Sequence, residues 1–346
     1  SFSIGFQEDY FNEIEYARLA ARRFQTEHHE YFVTPKDTAA LIPRLVDAYD
    51  EPFGNASAVP TYYCAKLARE QGVDALLAGD GGDELFGGNT RYVTDKVFEV
   101  YHSVPQWLRH RCFEPILFGL PFPDRGMFSK ARKYVRRSNI PQPQRYFSYN
   151  LLHMVDLPHL FTDDFLASLP GNPALSLAKH YYETAHANTM LNRLLNIDLK
   201  IILTDNDLRK VTRMCDLANV QVRYPMLDQT LVEFSGTIPT NLKVKGFSKR
   251  YIFKEAFKNL LPPEILEKKK HGFGLPISPW LRESPCLREL ARDTLLSQAS
   301  LQRGYFQRTF LQNLFEFHRS DSTNFFGDNL WVFLMLELWH QSHDRA

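Results

Sequence analysis

An acidic, glycine-rich run, GDGGDE at residues 79–84, is the part of this sequence best suited to chemistry. Glycines let a backbone turn tightly and come close to a ligand. The carboxylates of Asp80, Asp83 and Glu84 repel one another unless cations or hydrogen bonds compensate, and magnesium held beside phosphates is one such cation. The alternative is an acidic surface turn that caps a helix starting near Glu84. The residue types alone leave both interpretations open.

Two further segments contribute charged candidates. The first is the lysine triplet at 268–270, followed by HGF at 271–273. Such triplets are usually solvated, but a lysine here could act as a point charge on a departing pyrophosphate or a developing intermediate. The second is VRYPMLD at 222–228, where Arg223 and Asp228 would need partners in an apolar loop. The pattern alone favours a packed junction between a helix and a loop.

The first 95 residues alternate predicted strands and helices, which is typical of an α/β fold with a parallel, doubly wound sheet. The apolar run at 73–77 predicts a buried parallel strand. It leads directly into the acidic run, and ligands of such sheets bind beyond the carboxyl ends of the strands. The predicted elements are strands at 2–6, 29–33 and 73–77 and helices at 9–24, 35–49 and 60–69.

Helical periodicity dominates after about residue 95. We therefore expect a nucleotide-binding α/β portion over 1–95, truncated at its N-terminus, and a mainly helical portion over 96–346. Residues 330–338 predict a buried helix near the C-terminus. Residues 126–138 carry a basic cluster, for which a solvated helix face is the first interpretation and contact with phosphate or tRNA the second.

Composition favours a globular, cytoplasmic protein. The chain has 346 residues, is 44% hydrophobic and carries a net charge of +1 from 41 basic and 40 acidic residues. This balance gives no support for a chain-wide attraction to nucleic acid or membrane, so we expect neither partner. The four cysteines lack metal-binding spacing and predict free thiols. No segment has the pattern of a signal peptide or a membrane span.

Taken in order, these motifs resemble the asparagine synthase (glutamine-hydrolysing) family, in its C-terminal synthetase domain. GDGGDELFGG at 79–88 is similar to the family's S-G-[DE]-G-x-D-E-[LV]-F-G-G-Y, RYPMLD at 223–228 to the end of its E-x-R-x-P-F-L-D, and KHGF at 270–273 to its K-x-G-F. Segments near 2–6, 50–53 and 330–340 are also similar to family landmarks. The resemblance covers nearly the whole chain and implies a sheet of the adenine-nucleotide α-hydrolase-like (ATP pyrophosphatase) type.

The resemblance also implies an activity, that of an ATP-dependent carbon–nitrogen ligase that forms amides. Family members use ATP and Mg²⁺ to convert a carboxylate, aspartate or a related acid, into an acyl-adenylate. Ammonia then attacks and gives the amide, AMP and pyrophosphate. A glutaminase domain or subunit is the implied source of the ammonia.

Family roles in nucleotide binding transfer to matching positions of this chain. Ile4 and Gly5 match the strand whose backbone lies against adenine. Gly79 matches a backbone contact to the nucleotide, and Gly81 belongs to the same nucleotide-binding loop. Asp80 matches the acidic residue near the adenylate and the attacking ammonia, where it could help to remove a proton.

The resemblance assigns two further roles. Asp83 matches a magnesium ligand, and Lys270 matches the lysine that stabilises the adenylation transition state and pyrophosphate. Negative charge concentrates there during the reaction, so a fixed cation can stabilise the transition state more than the ground state. Glu84, Arg223 and Asp228 complete the motifs without an assigned role.

Three departures from the family pattern indicate a divergent member. The family's pyrophosphate loop, S-G-G-x-D-S, has no counterpart before the strand at 2–6, and the glutaminase domain is missing; we expect truncation to explain both. The third departure lies inside the chain. KVTRMCDL at 210–217 stands where the family usually has K-V-D-R-x-S-M-A, and Asn89, Gln221 and Met226 replace the usual Tyr, Glu and Phe. This favours an acceptor that need not be aspartate.

Two other interpretations stay open. A natural protein without the pyrophosphate loop would be a catalytically silent domain that binds a nucleotide or a partner protein. Another enzyme of the same fold, such as a tRNA-modifying one, is disfavoured by the balanced charge and by the lack of paired cysteines.

Overall fold

The computed structural model describes residues 1–119, 126–148, 155–268, 274–321 and 324–344. Short parallel strands and helices share the first 95 residues, so the α/β class predicted from the sequence is confirmed. The strands are β1 (Phe2–Gly5), β2 (His29–Phe32), β3 (Ala75–Leu77) and β4 (Gln221–Arg223), and the first helices are α1 (Ile14–Phe24), α2 (Pro35–Asp47), α3 (Ala58–Glu70) and α4 (Gly82–Phe86).

Local sequence signals set the ends of the early helices. The Thr34 hydroxyl accepts a hydrogen bond from the Asp37 N–H at 3.2 Å, and the Asp37 carboxylate accepts one from the Thr34 N–H at 2.9 Å. This capping box starts α2, and Pro35 occupies its first position, where no N–H is needed. Gly72, with a φ of +77°, follows the end of α3. The predicted helix at 9–24 divides into a short 3₁₀ turn, Asp9–Phe11, and α1.

The strands form two separate parallel pairs. β1 pairs with β2, with Phe2 opposite His29, and β3 pairs with β4, with Ala75 opposite Gln221. Among the described residues no sheet exceeds two strands. This arrangement does not by itself show a doubly wound sheet, so that part of the predicted fold stays a prediction.

The predicted burial of the strand at 73–77 is wrong. Leu77 is 76% exposed, Ala75 is also exposed, and Leu76 is half-buried. The apolar run suggested burial on both faces. In the structure β3 belongs to a two-stranded sheet and borders an open cavity, so its side chains are covered only in part.

Helices build most of the remaining described chain, with π-helical segments at Arg109–Phe113 and Asp198–Leu208 and a 3₁₀ turn at Pro225–Leu227. The helices are α5 (Thr90–His102), α6 (Gln106–Leu108), α7 (Glu114–Gly119), α8 (Gly126–Ser138), α9 (Gln144–Phe147), α10 (Leu157–Leu160), α11 (Asp163–Ser168), α12 (Pro173–Glu183), α13 (Met190–Ile197), α14 (Arg209–Leu217), α15 (Gln229–Thr237), α16 (Thr240–Lys243), α17 (Tyr251–Phe257), α18 (Pro263–Glu267), α19 (Ile277–Glu283), α20 (Pro285–Leu295), α21 (Gln298–Gln302), α22 (Arg308–Ser320) and α23 (Phe325–His343).

One large apolar core joins β1 and the early helices to the C-terminal helices. Helix α23 lies at its centre: Trp331 is 1% exposed and Leu334 is fully buried. The buried helix predicted at 330–338 is confirmed. Residues from both ends of the chain share this core, so α23 packs in the same core as β1, whose Phe2 borders the cavity described below. The division of the chain near residue 95 stays a prediction.

Two predictions from composition can also be checked. Cys64, Cys112, Cys215 and Cys286 are all free, as their scattered positions predicted. Within the described ranges, no helix combines the length and apolarity needed to cross a membrane.

Helix α23 contains a buried carboxylate, Glu337, which is 4% exposed. Arg303 Nε donates to Glu337 Oε2 at 2.9 Å and Arg303 Nη2 to Oε1 at 3.3 Å. Gln341 Nε2 donates to Oε1 at 3.0 Å. A buried charge is tolerated when it is paired and hydrogen-bonded in this way.

We expect Arg303→Ala to destabilise the protein by about 3 kcal/mol, because it leaves the Glu337 charge buried without its cation. Urea unfolding followed by circular dichroism measures this. Arg319→Ala is the matched control, since Arg319 and Glu316 form an exposed pair at 3.8 Å and such pairs contribute little. Equal effects of the two substitutions would contradict the importance of the buried pair.

Candidate active site

The acidic run at 79–84 connects β3 to α4. The Ala78 N–H donates to the Arg223 carbonyl at 2.8 Å, which extends the pairing of β3 with β4 by one residue. The chain then turns at Gly81, whose φ is +97°, a conformation that favours glycine. A Cβ at Gly81 would lie 2.3 Å from Leu227 Cδ2. Both backbone conformation and packing therefore require glycine here.

This run borders a cavity of about 1220 Å³. Phe2 of β1 and residues 75–77 of β3 both line it. The other polar or charged lining residues include Asn55, Ser57, Thr61, Asn89, Asp207, Lys210 and Arg250. The cavity thus unites side chains from widely separated parts of the sequence.

Five of the predicted site residues lie together in this cavity: Gly79, Asp80, Gly81, Asp83 and Glu84. Their proximity follows from their position in one short loop. The structure adds that the loop faces a cavity large enough for a ligand. This favours a binding site over an acidic surface turn that only caps a helix.

Two carboxylates in this cavity are poorly solvated. Burial raises the pKa of Asp80; the positive charge of Lys210 opposes the shift, and the negative charge of Asp207 adds to it. Burial also raises the pKa of Glu84 to about 7, helped by neighbouring carboxylates such as Asp83. Glu84 can therefore gain or lose a proton near neutral pH, a property common among functional carboxylates.

An aspartate and a lysine to which the sequence assigned no role line the same cavity. Asp207 lies near the end of the π-helical segment Asp198–Leu208, and Lys210 lies at the start of α14. Lys210 is 8% exposed, and its Nζ is 2.8 Å from Asp207 Oδ1. A sequence signal exists for Lys210: it lies four residues before the buried Met214, where helical periodicity predicts an apolar residue. π-Helical turns also recur at functional sites.

Arg250 is a further cavity residue that sequence reasoning missed. Its Nη1 is 3.5 Å from Asp83 Oδ1. Gly88 makes room for this pair, since a Cβ there would lie 1.6 Å from Asp83 Oδ1 and 3.0 Å from Arg250 Cδ. Arg250 has a φ of +51°, a conformation that is uncommon for a residue other than glycine. No local pattern connects residue 250 with residue 83, so only the fold shows the contact.

Ile4 and Gly5 lie apart from the loop. Ile4 lines a smaller cavity of about 230 Å³, and Gly5 is not among the described residues that line either cavity. A Cβ at Gly5 would lie 2.6 Å from Phe32 Cε1, so packing alone accounts for this glycine. Phe2 and Cys64 line both cavities, which therefore adjoin.

The lysine triplet starts beside the smaller cavity. Lys268 Nζ is 2.7 Å from Glu13 Oε2 and 4.8 Å from the centre of the Tyr16 ring. Lys270, for which a catalytic role is predicted, lies outside the described residues, as does Lys269. Lys268 nevertheless places the start of this segment near β1.

Arg223 and Asp228 do not line the larger cavity. Arg223 is exposed at the end of β4, and its Nη2 donates to Gln221 Oε1 at 3.3 Å. Asp228 caps α15, because its Oδ1 accepts from the N–H groups of Thr230 and Leu231 at 3.0 and 3.3 Å. Both residues thus lie at a junction between β4 and α15, where their side chains are exposed rather than packed.

The described residues supply only some of the oxygen ligands that a magnesium ion needs. Across the described ranges, no group of three or more His, Cys, Asp or Glu side chains is arranged to hold a metal ion. Magnesium is commonly bound by one or two carboxylates together with substrate phosphates and water. Asp83 offers carboxylate oxygens at the cavity wall, so the donor chemistry fits a magnesium ion that arrives with a nucleotide.

Comparison with known proteins identifies the family. The asparagine synthase family model matches residues 1–341, so the chain belongs to that family. It is similar to asparagine synthetase [glutamine-hydrolyzing] 1 of Bacillus subtilis, at 25% identity over 346 residues, 98% of this chain and 51% of that protein.

Two other relatives carry related names. A protein of Mycobacterium bovis named as a glutamine-hydrolyzing asparagine synthetase is 26% identical over 345 residues, 98% of this chain and 50% of that protein. One of Methanocaldococcus jannaschii is 38% identical over 109 residues, 32% of this chain and 21% of that protein. The chain spans about half the length of the Bacillus and Mycobacterium proteins.

We expect Gly81→Ala to destabilise the loop, because it adds a Cβ at a positive φ and against Leu227; the cost of such strain is about 1–3 kcal/mol. Gly79→Ala is the matched control, since a Cβ at Gly79 meets no atom within 4 Å. Urea unfolding compares the two variants. A Gly79→Ala variant as unstable as Gly81→Ala would contradict this account of the turn.

Proposed function

We propose that this chain forms the synthetase site of an ATP-dependent, amide-forming ligase. The acceptor carboxylate attacks the α-phosphorus of ATP, pyrophosphate leaves and an acyl-adenylate forms. Ammonia then attacks the acyl carbon, a proton is lost from nitrogen, and AMP leaves with the electrons of the carbon–oxygen bond. The observation that carries this proposal is the convergence of Asp80, Asp83, Glu84, Lys210 and Arg250 on one cavity.

The proposed nucleotide position follows from the strands. In parallel α/β sheets ligands bind beyond the carboxyl ends of strands, and the loop at 79–84 occupies that place after β3. We propose that this chain has the ATP pyrophosphatase-type fold that the family resemblance implies. The backbone at Gly79 and Gly81 would then lie close to the nucleotide. Ile4 and Gly5 of β1 would lie on the adenine side, next to the smaller cavity.

The charges around the cavity suit a phosphate chain. Arg250, which lies next to Asp83, can neutralise part of the negative charge of the phosphates. Lys270 is the proposed second cation, for pyrophosphate. Magnesium, when bound, supplies further charge neutralisation at the phosphate oxygens. Asp83 would hold it. Fixed cations of this kind stabilise charge that develops as pyrophosphate departs.

The second step needs a group that accepts a proton. Attack by ammonia leaves a positively charged nitrogen on the tetrahedral intermediate, and a nearby carboxylate both stabilises that charge and can take the proton. Asp80 is the proposed acceptor. Glu84, with its pKa of about 7, is a second carboxylate in the same cavity that can exchange protons at neutral pH.

The acceptor and the nitrogen donor are further parts of the proposal. We propose a carboxylate such as aspartate or a related acid, and ammonia from a glutaminase domain or subunit, because the Bacillus subtilis relative is named as glutamine-hydrolyzing. Asn89 and Met226 line the cavity at positions where the family usually has Tyr and Phe. Their smaller or more flexible side chains support an acceptor that need not be aspartate.

The pH dependence tests the role of Glu84. Its raised pKa means that the carboxylate is protonated below about pH 7, so amide formation should rise with pH through about 7 and level off above it. Glu84→Gln should remove this inflection. The measurement is the rate of amide formation by the full-length protein at a constant concentration of free ammonia. An unchanged inflection in Glu84→Gln would assign it to another group.

Exchange of labelled pyrophosphate into ATP tests the adenylation step. In the full-length protein, Lys270→Ala should lower carboxylate-dependent exchange by about 10²–10³-fold with the fold intact, because a cation that faces developing charge is lost. Lys258→Ala is the control, since Lys258 pairs with Glu255 on the surface of the protein. Unchanged exchange in Lys270→Ala would shift the role to Lys269.

The same exchange assay, run with different carboxylates, identifies the acceptor. In a separate assay with aspartate and ammonia, robust formation of asparagine would contradict the divergent-acceptor part of the proposal. Nucleotide binding without any exchange would instead support the catalytically silent domain.

A further inference from the structure

Charges in the region around α5 to α9 are strongly unequal, although the whole chain is balanced. Within residues 90–119 and 126–148 the acidic residues are Asp95, Glu99 and Glu114. The basic residues are Arg91, Lys96, Arg109, Arg111, Lys130, Arg132, Lys133, Arg136, Arg137 and Arg145. The proposed function uses none of them, so this region is available for another role.

The three acidic side chains are occupied by internal contacts. Asp95 Oδ1 accepts from Arg145 Nε at 2.9 Å, and Glu99 Oε1 accepts from Arg145 Nη2 at 2.6 Å. Glu114 Oε1 accepts from Tyr101 and Asn139. Asp95 and Glu99 both pair with Arg145, which is itself buried, and the exposed basic side chains of the region outnumber its carboxylates.

Helix α8 presents much of that positive charge on one face. Lys130, Lys133 and Arg136 are all exposed, and their spacing of three residues places them along one side of the helix. Met127, one turn before Lys130, is 78% exposed. The opposite side of α8 carries the buried Val135.

Exposed apolar side chains lie on the neighbouring elements. Trp107 of α6 is 63% exposed, Phe113 of the π-helical segment 49%, and Ile116 of α7 54%. Soluble surfaces commonly carry single exposed apolar residues, but several on adjacent turns mark interaction sites. Phe118, at 38%, continues this set toward α8.

Two contacts join the apolar elements to the basic helix. The Arg136 guanidinium carbon lies 5.4 Å from the centre of the Phe118 ring, and Arg132 Nε donates to the Leu117 carbonyl at 2.9 Å. We use the name cationic–apolar face for the exposed side chains of these connected elements, which are Trp107, Phe113, Ile116, Phe118, Met127, Lys130, Lys133 and Arg136.

We propose that the cationic–apolar face docks the protein on the surface of an anionic lipid bilayer. Amphipathic helices with lysine and arginine beside tryptophan, phenylalanine and aliphatic side chains bind at the boundary between headgroups and acyl chains. Tryptophan favours that boundary, and each lysine or arginine is attracted by anionic headgroups. The balanced net charge predicted no membrane partner, but this attraction depends on local charge.

A bilayer fits this face better than a nucleic acid does. Single-stranded nucleic acids gain most from planar side chains that stack on bases, whereas Ile116 and Met127 offer aliphatic surface that an acyl layer accommodates. Docking would act beyond the proposed ligase activity, by placing the enzyme next to acceptors or products at a membrane. Its test is independent of turnover.

Co-sedimentation of the protein with vesicles tests the proposal. Association is expected with phosphatidylcholine vesicles that contain phosphatidylserine, and it should weaken as salt rises. Vesicles of phosphatidylcholine alone should bind much less. Trp107 is the one strongly exposed tryptophan, since Trp280 and Trp331 are buried and Trp339 is half-buried. Its fluorescence should therefore shift to shorter wavelength on binding.

Charge and apolar variants separate the two contributions. Lys130→Gln with Lys133→Gln should weaken partitioning by about fivefold for each charge removed. Ile116→Ser should weaken it about tenfold, through lost apolar burial. Lys179→Gln with Lys258→Gln is the matched control: it removes the same charge from lysines paired with Glu183 and Glu255 on other helices, and it should bind as the parent does.

Four results would overturn the proposal. The first is no association with phosphatidylserine vesicles at low salt. The second is an equal loss of binding in the control pair. The third is self-association without lipid that Ile116→Ser abolishes, which would assign the face to a second copy of the chain. The fourth is preferential binding of tRNA with the same dependence on Lys130 and Lys133.

Discussion

The parallel pairing of β3 with β4 is the constraint on which the candidate site depends. It sets Leu77 opposite Arg223, and the next hydrogen bond, from the Ala78 N–H to the Arg223 carbonyl, measures 2.8 Å. The acidic loop therefore leaves the sheet beside the turn Pro225–Leu227, where Leu227 packs against Gly81. Helix α14 precedes β4 and brings Lys210 to the same cavity. The pairing therefore helps to hold Lys210 near the carboxylates of the loop.

The electrostatics of the cavity match a site that is completed by ligands. Several carboxylates held near one another and away from water are unfavourable in the free protein, and the raised pKa values of Asp80 and Glu84 express this cost. Lys210 and Arg250 offset part of it. A nucleotide that brings its own magnesium would supply further positive charge beside Asp83. This would reduce the repulsion among the carboxylates, and the reduction would favour nucleotide binding.

Sequence reasoning located the loop at 79–84 and the buried C-terminal helix because both depend on local patterns: clustered glycines and carboxylates in one case, a continuous apolar run in the other. It could not find Arg250, because this residue lies far from Asp83 in the sequence and only the fold brings the two together. It also misjudged Leu77, because an apolar run does not reveal how many strands cover it. Lys210 was visible as a charge on an apolar helix face, and Asp207 lies three residues before it, but only the structure shows that both line the cavity.

The central claim is that the acceptor carboxylate is activated as an acyl-adenylate in this cavity. The most direct measurement uses an acceptor whose carboxylate carries ¹⁸O, turned over by the full-length protein with ATP and ammonia. The account predicts ¹⁸O in AMP and none in pyrophosphate, because a carboxylate oxygen attacks the α-phosphorus. Appearance of the label in inorganic phosphate, with ADP as the nucleotide product, would contradict it.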